Sequence, residues 1–131
     1  MKSWLRGLLG RKGEARAAAF LKKKGLRIIG RGVANRVGEI DLIAMDGETI
    51  VFVEVRTRQS IEAGHPAESV TVEKQARVTR AALSYLKQKK LWNRRCRFDV
   101  VAILWPEGAR EPQLTHYVNA FEAVGPESMH G

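Results

Sequence analysis

Cysteine is almost absent from this chain of 131 residues: Cys96 is the only one. No disulfide can form within the chain and no multi-cysteine metal site is available, which points to a reducing compartment, with the cytoplasm as the expected location. Proline is scarce too. The four prolines fall at 66, 106, 112 and 126, so no proline-rich linker divides the chain, and one domain over 1–131 is expected. No apolar run approaches the roughly 20 residues that a membrane-spanning helix needs. The start, "MKSWLRGLLGRKG", is interrupted by Arg6 and is too short and too charged for a signal peptide. Residues 1–12 are expected to be a frayed basic end, and 125–131 a loose tail. Acids are few: 14 against 23 Lys and Arg, for a net charge of +9.

That charge is uneven. Residues 1–36 hold eleven Lys or Arg and one acid, Glu14; residues 73–97 hold nine and one acid, Glu73. Two such basic stretches suit a polyanionic partner, nucleic acid before an anionic membrane surface. Plain solubility is the bland alternative. A third, weaker reading makes Trp4, Leu5 and Leu8 a peripheral membrane contact.

Periodicity orders the chain. Strong helix formers run from Glu14 to Lys24 and stop at Gly25. Residues 26–35 read as a short apolar strand and then a Gly-rich loop. "VGEIDLIAM" (37–45) alternates with period two and meets Asp46-Gly47, a hairpin signal. "ETIVFVEVRTR" (48–58) is the return strand, 59–69 a loop, and Val70 to about Lys90 a long amphipathic helix. "CRFDVVAILW" (96–105) is a strand, and 112–121 a final edge strand. The class is α/β: helix, three strands, helix, one or two strands, with helices flanking a mixed sheet.

If Asp46-Gly47 forms a two-residue turn, Met45 pairs with Glu48, and Glu39, Asp41, Glu54 and Arg56 share one sheet face. Ile40, Leu42, Val51, Val53 and Val55 then cover the other face, against the core. Asp41 and Glu54 become diagonal neighbours, able to share one hard cation, with the Val55 carbonyl as a third ligand. Equally, Arg56 could pair with the acids in a solvated ladder, a cheap and common arrangement. Asp99 in "RFDVV" reads as a structural acid or the partner of Arg97, and His65 and His116 as structural or surface residues. No phosphate-loop or dinucleotide spacing occurs, and the serines lack partners for nucleophilic catalysis.

"GEIDLIA" followed by "VFVEVRTR", after a helix beginning "GEARAAAFL", resembles the YraN family of bacterial proteins. That family is similar to archaeal Holliday-junction resolvases of the PD-(D/E)XK nuclease superfamily. The likeness extends through "EKQARVTRAALSYL" and "RFDVVAI", about Gly13 to Phe121. It implies a restriction-endonuclease-like core and hydrolysis of DNA phosphodiesters with Mg²⁺ or Mn²⁺. It also implies metal-binding and catalytic roles for Asp41, Glu54 and Glu14, and allows a homodimer.

Two departures bear on activity. Arg56 stands in the motif's lysine position. An arginine stays protonated and cannot act as a base, but it can hold a phosphate. Lys74 either takes over the amine's role or is a solvated helix-start lysine. Gly32 stands where the family tends to carry Asn. The expected function is therefore a metal-dependent endonuclease, with Lys74, Arg77, Arg80 and Arg36 gripping nucleic acid. The alternative is a non-catalytic nucleic-acid-binding or adaptor module on the same fold.

Overall fold

A computed structural model describes residues 3–62 and 64–124, with side chains from Leu9 onward. The expected tail at 125–131 lies outside the described residues. Helix α1 spans Ser3–Lys23. It therefore begins eleven residues before Glu14, and the expected frayed basic end is helical from Ser3. At its other end the Leu26 N–H reaches the Leu21 carbonyl and the Gly25 N–H reaches that of Lys22. Gly25, at φ +98°, makes this capping turn without a Cβ penalty.

Five strands follow the order β1 (Arg27–Ala34), β2 (Glu39–Asp46), β3 (Thr49–Arg58), β4 (Cys96–Leu104) and β5 (Gln113–Phe121). They lie in that same spatial order. β3 and β4 are parallel and every other pair is antiparallel. A parallel pair needs a crossover, and α2 (Val72–Gln88) supplies it after a short 3₁₀ turn, Pro66–Ser69. This is a restriction-endonuclease-like α/β core.

Two details correct the expectation. β1 does not give way to a loop at Gly30. It continues to Ala34 against β2 across a bulge between Ile28 and Gly30. The β2–β3 turn is Gly47-Glu48, because Asp46 pairs with Thr49 and Leu42 with Val53. Gly47 has φ +61°, and a two-residue hairpin loop places such a residue first. The register therefore slips by two positions from the expected one. An even slip by itself preserves facing, but Ile40, expected on the same face as Leu42, packs on the other face with α2.

The sheet has two covered faces rather than one. Leu42, Ala44, Val51, Val53, Val55, Val101 and Ile103 pack with Ala17, Ala18 and Leu21 of α1. Ile43, Ile50, Phe52 and Phe98 pack with Val78, Ala81, Ala82 and Leu86 of α2. The face expected to be polar is thus mostly core, because the crossover helix of a parallel pair must lie on it.

A candidate active site where two strands part

Along β2, Ile40 packs on the α2 side while Leu42, two residues on, packs on the α1 side. Regular alternation breaks between them, at Asp41. Pairing with β3 stops there too: Leu42↔Val53 is the last paired position, while β2 continues along β1 to Glu39 and β3 continues along β4 to Arg58. The two strands fork, and Asp41 sits in the fork. The Val55 N–H donates to Asp41 Oδ2 at 2.8 Å. The N–H and C=O of one strand residue face the same neighbour, so the Val55 carbonyl opens towards the same gap.

A cleft of about 580 Å³ occupies the fork. Its lining includes Glu14, Glu39, Asp41, Glu54, Val55 and Arg56. Glu14 arrives from α1, which can approach closely because Gly13 has no side chain to meet Thr57. One carboxylate oxygen from each of Glu14, Glu39 and Asp41 lies within 4.8 Å of the others. Burial, and then repulsion by Asp41 and Glu39, raises the proton affinity of Glu14, with Arg31 opposing the rise.

Glu54 is 8% exposed. Among the described residues it has one ion-pair contact, Arg56 Nη1 at 3.9 Å, beyond hydrogen-bond range. Burial first, and then contact with the Asp41 carboxyl, pushes its pKa to about 9. Arg56 itself is anchored: its Nε donates to Ser69 Oγ at 2.8 Å, and Ser69 Oγ donates to the Pro66 carbonyl at 2.6 Å. Lys74 enters from the first turn of α2. Burial and the nearby charges of Arg56, Arg77 and Arg58 lower its proton affinity, while Glu54 opposes that. Of these four cations Arg56 and Arg58 line the cleft, and Lys74 and Arg77 stand near enough to act on the same group of charges. Arg80 and Arg36 are exposed and do not line the cleft.

The donors are carboxylates and a main-chain carbonyl, all hard oxygens. Such a set fits Mg²⁺ or Mn²⁺ and has nothing for a thiophilic metal. Asp41, Glu54, Val55, Glu14 and Arg56 all line this cleft. Asp41 and Glu54 are opposed across the fork rather than diagonal. Three participants were not foreseen as site members: Glu39, Arg58 and Ser69. Glu39 has the same strand parity as Asp41, a legible signal. Nothing local to the sequence pairs Ser69 with Arg56. The other buried acid among the described residues, Asp99, is structural. It accepts from Arg97 Nε, the Asn119 N–H and His116 Nε2.

The fold and cleft define a restriction-endonuclease-like domain with an acidic site at a sheet fork. Within that class the chain belongs to the Uncharacterised protein family UPF0102, whose profile matches residues 13–103; this is the YraN family that the motifs resemble. A UPF0102 protein of Rhodopirellula baltica is 52% identical over 126 residues, covering 94% of this chain and 75% of the relative. A Pelotomaculum thermopropionicum relative is 47% identical over 116 residues, covering 88% and 97%. One from Chlorobium limicola is 48% identical over 117 residues, covering 86% and 91%. No helix among the described residues is long and apolar enough to cross a membrane.

Proposed function

We propose that this protein is a metal-dependent nuclease of the PD-(D/E)XK kind, similar to the Holliday-junction resolvases, that hydrolyses DNA phosphodiester bonds. One observation carries the reading: Glu54 is buried against the Asp41 carboxyl, and the cation paired with it among the described residues, Arg56, stands 3.9 Å away. A buried carboxylate in that state must hold a proton or receive a cation. Asp41, Glu54, the Val55 carbonyl and Glu14 would hold that cation. When bound, a divalent ion there supplies Lewis-acid polarisation and an activated water.

The chain's own groups do the rest. Asp41 is oriented by the Val55 N–H, so one of its oxygens has a set direction. Arg56, fixed through Nε by Ser69, presents its terminal nitrogens to a phosphate and to charge developing on it. Lys74, Arg77 and Arg58 extend the positive flank along which a nucleic-acid backbone would lie. Lys74 is also the amine nearest the motif lysine's role. The likeness to resolvases extends the proposal to a homodimer, which light scattering would measure.

The test is cleavage of branched, single-stranded and duplex DNA with Mg²⁺ or Mn²⁺. Metal-dependent cutting lost in Asp41→Ala and Glu54→Ala is expected. No cutting, or equal cutting by the variants, overturns the catalytic reading. A second reading, a binding module without catalysis, draws on Arg56, which cannot serve as a base. It predicts salt-sensitive DNA binding with no cleavage by the parent protein.

A further inference from the structure

The cleft lies towards the end of β3, from Glu54 to Arg58, whereas β4 starts at Cys96 beside Ile50. The turn from α2 into β4 is therefore at the opposite end of the sheet. It belongs to a run without acids, since none occurs between Glu73 and Asp99. Lys87, Lys89, Lys90, Arg94 and Arg95 are all exposed there. None of the five makes an ion pair among the described residues. A helix C-terminus favours cations within its last turn, which accounts for Lys87 and Lys89 but not for the arginines beyond it. In the middle of these charges Trp92 is 63% exposed.

The turn is held from below. The Leu91 N–H reaches the Leu86 carbonyl and the Lys90 N–H reaches that of Lys87, the paired bonds of a Schellman turn. Leu91 packs against the core on the α2 face. The Arg94 N–H then closes onto the Leu91 carbonyl, with Trp92 and Asn93 at the tip, and the Arg95 carbonyl accepts from the Ile50 N–H. Lys90 occupies the left-handed position at φ +56°, where glycine is the usual residue. The backbone gains nothing from a lysine there, which leaves the ammonium as its physical contribution.

We propose that this turn is a second nucleic-acid contact, stacking an unpaired base on Trp92 and holding the adjacent phosphates with Lys89, Lys90, Arg94 and Arg95. Exposed aromatics among cations suit single strands, because every base offers a π-face. In a duplex those faces are covered by neighbouring base pairs, so the occupant is a single-stranded segment. From Val72 to Gln88, α2 rises about 25 Å, so this contact stands a helix length from Lys74. It shares a nucleic-acid partner with the proposed function, but needs neither the metal nor the cleft.

Fluorescence anisotropy of a labelled oligothymidylate in EDTA tests this apart from any cleavage. Trp92→Ala should weaken binding at least about fivefold, while Trp92→Phe should keep most of it. Because Trp92 is exposed, Trp92→Ala should melt like the parent. Lys90→Gly should raise the melting temperature by relieving the positive φ. It should nevertheless bind more weakly, with a salt slope lower by about 0.7; a merely structural lysine would give the first change without the second. Asp41→Ala should bind no more weakly than the parent. Binding unchanged in Trp92→Ala or in Lys90→Gly overturns the inference, as does no binding by the parent. Trp92-dependent binding to phosphatidylserine vesicles, without binding of the oligonucleotide, overturns it in favour of an anionic membrane. Metal-dependent cleavage by a protein whose Trp92→Ala variant binds normally would sink this inference and leave the proposed function standing.

Discussion

Glu54 and Asp99 lie one residue out of register on neighbouring parallel strands, since Asp99 pairs with Val53. Their side chains point to opposite faces of the sheet. Both are buried, yet their surroundings are opposite. Burial alone would raise Asp99, but His116, Arg97 and the Asn119 N–H more than offset it and hold its proton affinity down. For Glu54, burial and the Asp41 carboxyl outweigh the opposing charges of Arg56 and Lys74, and its pKa is pushed up to about 9.

Stability should therefore depend on pH through Glu54. Between pH 4.5 and about 9 the folded chain keeps a proton that the unfolded chain has released. Stability then falls as pH rises, by at most about 1.4 kcal/mol per unit. Glu54→Gln should be more stable than the parent at pH 8, and nearly equal to it at pH 5. Urea unfolding at both values checks this, and a gap that does not change with pH contradicts it.

Divalent metal should replace that proton. Mn²⁺ at about 100 times its dissociation constant should stabilise the fold by about 2.7 kcal/mol, with affinity increasing from pH 6 to 8 as Glu54 gives up its proton. Asp41→Ala should show no such gain in a thermal melt.

Asp99→Ala should destabilise by about 3–5 kcal/mol, because Arg97 and His116 lose a buried partner. In the parent, this contribution is present above the ordinary aspartate value of 3.8. It is lost only as pH falls through the lower folded value. Guanidinium unfolding of the variant at pH 7 measures the loss, and a loss below 1 kcal/mol would contradict the buried network.

Gly13→Ala should also destabilise. Alanine gains about 1 kcal/mol of helix propensity over glycine. Its Cβ, however, collides with the Thr57 hydroxyl, and overpacking costs about 1–3 kcal/mol. Adding Thr57→Ala should recover most of the loss. If Gly13→Ala alone is stabilising, α1 does not need this close approach to deliver Glu14.

If the flank of the cleft grips DNA, Lys74→Ala should lower the slope of log affinity against log salt by about 0.9. Arg77→Ala should do the same, with little dependence on base sequence. An unchanged slope in both variants would remove α2 from the interface.

Much of this was legible in local patterns. The period-two pattern brought Asp41 and Glu54 together as neighbours, and they do meet at the fork, although the turn is two residues off and the alternation breaks at Asp41. The basic residues of α2 were legible from composition alone. The anchoring of Arg56 by Ser69 was not, since it joins a strand to a 3₁₀ turn 13 residues away. The full cover on the second face was also missed, because it depends on where the crossover helix lies.

The amino-acid order by itself determined the elements, the charge asymmetry and the motif that places the chain in its family, because helix stops, alternation and turn residues act over a few positions. Only the tertiary structure decided that β2 and β3 part at Asp41, that Gly13 lets α1 bring Glu14 to that fork, and that Glu39 joins it. Those relations depend on three elements packing at one point, where burial strips water from Glu54 and raises its proton affinity.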